Sequence, residues 1–180
     1  MDSRDAARLI APAVRVGESW ADLGAGTGTF TVALAQLVGP TATVFAVERE
    51  ISAIRALDVL AGENDPNRGH IAVRRADFTE HVELPPLDGV LLANALHFVA
   101  ADEQAQVLQR ITRLIVNAGA IVVVEYDNRA PSRWVPFPIP LVQLAALARV
   151  AQLGAPQQIG RRRSMFGGTM YAARLTRLDP

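Results

Sequence analysis

The chain contains no cysteine and no lysine. Without cysteine there is no disulfide, no thiolate metal site and no cysteine nucleophile, and no metal is expected. The missing lysine leaves arginine as the only strong cation, a bias to which no function attaches. Net charge is also missing. Eighteen basic residues balance eighteen acidic ones, so no global field draws the protein to nucleic acid or to an anionic membrane. Long apolar runs are absent too. The opening Met1-Asp2-Ser3-Arg4-Asp5 has no signal-peptide core, and no segment has the length of a membrane span. The expectation is a soluble cytoplasmic protein without nucleic-acid or membrane partners.

What remains is globular in character: half of the 180 residues are hydrophobic and a fifth are charged. That length suits one domain, taken as 1–180, with a single sheet-based core. The stretch that organises it is Trp20-Ala21-Asp22-Leu23-Gly24-Ala25-Gly26-Thr27-Gly28-Thr29-Phe30. It reads as a buried strand that turns through three alternate glycines into a helix. Glycine permits the tight turn and lets a ligand approach bare backbone. The helix beyond offers unpaired N–H groups and a positive dipole end.

Downstream, strands and helices alternate. Strands are expected near 16–23, 41–47, 71–73, 89–94 and 120–126. A first helix (3–14) is interrupted near Pro12, and a second runs from Phe30 to Val38. Ile51, Ile54, Leu57 and Leu60 define the apolar face of a third. A fourth, capped by Asp102, carries Val107, Leu108, Ile111, Leu114 and Ile115 and stops at Asn117-Ala118-Gly119. Such alternation implies a parallel sheet with helices on both faces and the strands' carboxyl ends on one edge. After Tyr126, a stiff loop with Pro131, Trp134, Pro136, Phe137, Pro138 and Pro140 precedes a helix over 141–153. Two short strands follow, at 157–163 and 169–175, with Met165-Phe166-Gly167-Gly168 as their turn.

Asp22-x-Gly24-x-Gly26-x-Gly28 resembles the first motif of the class I S-adenosyl-L-methionine (AdoMet)-dependent methyltransferases, including small members of the type 11 and type 12 kind. It departs from the dinucleotide pattern Gly-x-Gly-x-x-Gly, whose third glycine falls here on Thr29. The resemblance covers nearly the whole chain. It implies an α/β, Rossmann-like doubly wound sheet of five parallel strands plus a C-terminal antiparallel hairpin, in the seven-strand methyltransferase order.

The resemblance also implies residue roles. Asp22 would hold the cofactor's amino group while amides around Gly24, Ala25, Gly26 and Gly28 face its carboxylate. Glu48, 20 residues beyond Gly28, could accept two hydrogen bonds from ribose hydroxyls; that feature alone fits NAD as well as AdoMet. Asp77 matches the position that accepts from the adenine amino group, with Phe78 beside it to cover the ring. Arg49 and Asn94 complete the expected cofactor contacts. Three acidic strand tips and a neutral loop suit a ligand with an ammonium and a sulfonium and no phosphates.

Asn94-Ala95-Leu96-His97-Phe98 lacks the Asn/Asp-Pro-Pro-aromatic motif of enzymes that methylate exocyclic or amide nitrogens. His97 could take a proton from a hydroxyl acceptor or could only shape the pocket. His70 and His81 read as surface residues, and Arg161-Arg162-Arg163 as a solvated run. The expected function is methyl transfer to a small-molecule acceptor, O-methylation slightly favoured, with the 129–140 loop and the first helix closing the site. A homodimer could complete the pocket. Two rivals stay open: an NAD(P)-dependent oxidoreductase and a non-catalytic AdoMet-binding module.

Overall fold

The computed structural model describes residues 1–164 and 167–178. Met165 and Phe166 of the expected hairpin turn lie outside the described residues. Helix α1 (Ser3–Ile10) is capped by Asp2, whose Oδ1 accepts from the Asp5 N–H at 2.8 Å. Pro12 stops it in a short 3-10 turn. Strand β1 (Trp20–Leu23) follows, four residues long and buried throughout. Val16, expected in this strand, lies before it and is exposed. Next come α2 (Thr29–Val38), β2 (Thr43–Glu48), α3 (Ile51–Gly62), β3 (His70–Arg75) and β4 (Leu87–Ala93). Then α4 (Gln104–Ile111), β5 (Ile115–Tyr126), α5 (Leu141–Val150), β6 (Gln157–Arg163) and β7 (Thr169–Thr176) complete the chain.

The seven strands form one sheet in the order β3-β2-β1-β4-β5-β7-β6. The first five pair in parallel, and β7 runs antiparallel to both β5 and β6. The expected doubly wound sheet with its terminal hairpin is therefore present. Because both faces are covered, central strands read as unbroken apolar runs. In β4, Val90 and Leu92 belong to a core shared with α4 and α5, whereas Leu91 joins the opposite core with α1, α2 and α3.

Expectations for three helices need correction. The fourth helix ends at Ile111, followed by a 3-10 turn over Thr112–Leu114. Thr112 contributes to that break, since its Oγ1 donates to the Gln109 carbonyl at 2.7 Å. Asp102 does not cap the helix; Glu103 holds the cap position without a side-chain bond. Ile115 pairs with Leu87 and is already strand, so Asn117-Ala118-Gly119 sits inside β5, where the register slips before Ala120 meets Gly89. A breaker triplet served a bulge instead of a helix end. Ile51, expected on the apolar face of α3, is exposed because it lies beyond the carboxyl edge of the sheet. The last helix stops at Val150, and Leu153 instead forms an isolated bridge with Arg177.

Between β3 and β4 the chain crosses without a helix, over residues 76–86. Among the described residues no helix is long and apolar enough to cross a membrane.

Candidate active site

The glycine loop lies where β1 delivers it, at the carboxyl edge. Both the Gly24 and Ala25 N–H groups donate to the Val47 carbonyl, at 2.9 and 3.1 Å, which ties the loop to the end of β2. Gly24, Gly26 and Gly28 all have positive φ, at 74°, 53° and 90°, a region costly for other residues. They differ in what surrounds them. A Cβ on Gly26 would meet nothing within 4 Å, so that flank is open to a ligand. A Cβ on Gly28 would stand 2.5 Å from Leu60 Cδ1 and 3.0 Å from Leu57 Cδ2, so Gly28 lets α3 pack closely on the loop. It performs the helix-packing task of the third dinucleotide glycine from a different position.

Above the loop opens a cleft of about 420 Å³. Its walls include Gly24, Ala25, Gly26, Glu48, Arg49, Asp77, Phe78 and Asn94, eight of the expected cofactor residues. Asp22 and Gly28 are not in its lining. The Glu48 carboxylate is fixed by three main-chain donors: Gly26 N–H at 2.8 Å on Oε2, Arg49 N–H at 2.7 Å and Glu50 N–H at 3.0 Å on Oε1. Across from it, Arg49 Nη1 donates to Asp77 Oδ2 at 2.8 Å, while Asp77 Oδ1 accepts from the Thr79 N–H and hydroxyl at 2.9 and 2.7 Å. Partial burial works against a charge on Asp77, but the Thr79 and Arg49 bonds prevail and hold its carboxyl below the usual value.

Asp22 lies beneath the loop and is almost fully buried. Thr31 Oγ1 donates to its Oδ2 at 2.7 Å, but its Oδ1 has no partner among the described residues. Burial pushes its pKa up to about 7, against the Thr31 bond and with help from the charge on Glu48. Asn94, held at φ 54°, also has a buried Oδ1 without a partner among the described residues. An orphaned acceptor wants a donor.

Asn94 separates the cleft from a second pocket of about 520 Å³, which His97, Phe98, Tyr126, Arg129 and Trp134 help to line. His97 is 2 % exposed and sits in a short 3-10 turn after β4. Its Nδ1 is 2.7 Å from Oε2 of the fully buried Glu125, and its N–H donates to Glu125 Oε1 at 3.1 Å. A carboxylate on Nδ1 fixes the tautomer with the proton there and leaves Nε2 as the accepting nitrogen. The 129–140 loop forms a wall, pinned where the Phe137 N–H donates to the His97 carbonyl at 3.1 Å and Tyr171 Oη to the Ile139 carbonyl at 2.8 Å.

Glu125 has no place in the sequence expectations, although it is the only charged residue in the apolar run 120–126. That isolation was its signal. His70 and His81 are exposed as expected. The arginine run is committed to ion pairs, Arg162 with Asp5 at 2.9 Å and Arg161 with Asp127 at 3.7 Å.

The fit of the cleft can be judged by its donors and acceptors. The orphaned Asn94 oxygen in its wall, strand-tip carboxylates and an open glycine flank suit a ligand with an ammonium and hydroxyls. A pyrophosphate, which only accepts hydrogen bonds, would meet them unfavourably. Sheet order, glycine loop and acidic tips together define a class I AdoMet-dependent methyltransferase.

Sequence comparison gives the family. Residues 21–119, more than half of the chain, match the family model described as "Methyltransferase domain". The chain belongs to that family, and its cofactor is AdoMet. No curated protein matches it in sequence. Among solved structures it resembles the Burkholderia thailandensis 1,6-didemethyltoxoflavin-N1-methyltransferase with bound 1,6-didemethyltoxoflavin and S-adenosylhomocysteine: TM-score 0.73, 21% identity, 98% of this chain and 78% of that one. It also resembles the CcbJ methyltransferase from Streptomyces caelestis, with TM-score 0.74, 17% identity and coverage of 98% and 95%. For the mitomycin 7-O-methyltransferase MmcR the values are 0.70, 20%, and 98% of this chain against 54% of that one. The chain thus spans about half of that last protein's length.

Proposed function

We propose that the protein transfers a methyl group to a hydroxyl of a small-molecule acceptor, with His97 as the base. The observation that carries this reading is the buried His97–Glu125 pair in a pocket that adjoins the cofactor cleft at Asn94. When bound, AdoMet supplies a methyl group on a sulfonium, which is already a good leaving group. Asp22 and Asn94 would receive its donors at their unpartnered oxygens, and Gly26 would lie open to its carboxylate. Glu48 has lone pairs left for ribose hydroxyls, and Asp77 and Phe78 flank the place for adenine. Arg49 must shift its hold on Asp77 to leave that acceptor free. Glu125 steers the His97 ring, and His97 Nε2 takes the acceptor's proton. The 129–140 wall helps to keep water out, so alignment does much of the work.

The acid-lined cleft, with the unpartnered Asn94 oxygen in its wall, does not favour a nicotinamide cofactor. A thermal-shift series with AdoMet, S-adenosylhomocysteine, NAD+ and NADP+ tests the cofactor side, repeated on Gly26→Val and Glu48→Ala. The parent is expected to shift with the first two only, and both variants to lose most of that shift. Equal shifts in all three proteins would overturn the assigned site. Cofactor binding without turnover on any hydroxyl acceptor would reduce the protein to a binding module.

A further inference from the structure

Resting on that reading, we infer that the acceptor is a phenol carrying a carboxylate, with Arg129 binding the carboxylate and His97 receiving the phenolic proton. Three features of the pocket beside Asn94 lead there. The first is flatness. Phe98, Tyr126 and Trp134 line the pocket, and Phe98 and Trp134 are 54 % and 63 % exposed. Arg133 stacks on Trp134 with its guanidinium carbon 4.3 Å from the ring centre, yet both rings keep the exposed area on which a planar aromatic guest can stack.

The second feature is an unused cation. Arg129 lies half-buried with its guanidinium carbon 4.6 Å from the centre of the Tyr126 ring. Among the described residues it has no ion pair and no hydrogen-bonded side chain. Arg161 pairs with Asp127 and Arg162 with Asp5, while Arg133 stacks on Trp134 and is not in this pocket's lining. Asp127, the acid closest in sequence, also accepts the Leu141 N–H at 3.1 Å. A guanidinium resting on a ring keeps its edge N–H groups for a carboxylate, which it can bind through two parallel bonds.

The third feature is the base itself. The His97 imidazole is the base that lines this pocket, and a phenol ionises at about 10, the value for tyrosine. An aliphatic hydroxyl lies nearer to water at about 15.7. Proton transfer to His97 is thus several powers of ten less uphill from a phenol. In the step itself, Nε2 takes the phenolic proton. An oxygen lone pair forms the O–C bond as the S–C bond breaks, and that bonding pair stays on sulfur. The products are an aryl methyl ether, S-adenosylhomocysteine and a protonated His97 that returns its proton to solvent.

The test uses Trp134 as its own reporter, since the other tryptophan, Trp20, is 1 % exposed. Gallate and caffeate, each beside its uncharged methyl ester, are titrated into the full chain with S-adenosylhomocysteine present while tryptophan fluorescence is followed. The parent is expected to bind each acid at least about tenfold more tightly than its ester, the loss typical of one charge-assisted pair. In Arg129→Gln the acids should fall to the level of the esters while the esters change less than about twofold. Acid and ester binding alike in the parent, an acid preference that survives Arg129→Gln, or no quenching by either pair would each overturn the assignment. An AdoMet thermal shift on the same samples keeps the two readings apart. A normal shift without acid preference sinks only the phenolic acid, whereas no shift sinks the cofactor assignment beneath it.

Discussion

The two pockets that meet at Asn94 are made of different material. The cofactor cleft is mostly main chain and strand-tip carboxylates. Its glycine loop hangs from Val47, and the main-chain amides of Gly26, Arg49 and Glu50 fix Glu48. The second pocket is made of rings, one arginine and one imidazole, drawn from the turn after β4, the end of β5 and the loop beyond. The first needs a fixed backbone path and tolerates no bulk at Gly28. The second needs side chains from distant parts of the chain to arrive together. A damaged loop should therefore cost cofactor affinity, whereas a damaged ring or imidazole should cost turnover and leave the cofactor in place.

The sharpest test of that division is His97→Ala. Turnover should fall by about 10²–10⁴-fold, the usual share of a positioned base, while AdoMet affinity by calorimetry changes less than about twofold. A matching loss of affinity would merge the two pockets into one unit. Glu125→Gln keeps the shape but removes the carboxylate, and we expect about a 10–100-fold loss in kcat with AdoMet affinity unchanged. An unchanged kcat would mean that Glu125 only fills space.

Gly26→Val addresses the other side. Its flank is open, so the fold should lose only about 1–2 kcal/mol from the positive φ, yet AdoMet binding should nearly vanish. Urea unfolding and calorimetry on the same protein separate the two effects.

The smallest effect belongs to Asp22→Asn. Burial raises the Asp22 pKa to about 7, so between the unfolded value of 3.8 and about 7 the folded chain holds a proton that the unfolded chain has released. This contribution to stability is complete below pH 3.8 and is lost as pH rises through 7. The apo parent should therefore melt lower at pH 8 than at pH 6, beyond any drop seen in Asp22→Asn, by a few degrees at this chain length. AdoMet should reverse the order, because an ammonium beside Asp22 favours its charged form. Identical pH slopes in parent and variant would remove Asp22 from the cofactor's amino group.

The same division explains what the sequence could disclose. Gly24, Gly26 and Glu48 act through local backbone and fixed spacing, so a linear reading reaches them. The parallel core is legible too, because strand–helix alternation carries it, whereas the strand order followed from the family resemblance. Glu125 was hidden because its partner lies 28 residues away and because a carboxylate in β5 resembles a strand-edge residue until both faces prove covered. Arg129 was masked within a proline-rich loop whose path only tertiary contacts define. The misjudged end of the fourth helix has a similar origin. Asn117-Ala118-Gly119 breaks regular structure in either context, and pairing of Ile115 with Leu87 decided which.

Gly28 has one more consequence, through the Leu57 and Leu60 side chains that crowd it. The third helix works as a template against which the turn is cast, although none of its residues is in the lining of the cleft. Trimming Leu60 to alanine would leave every polar contact in place, yet it would loosen the mould and let the turn wander. Tuning how firmly this protein grips its nucleoside is thus open to changes in plain hydrocarbon, well away from any charged or catalytic group.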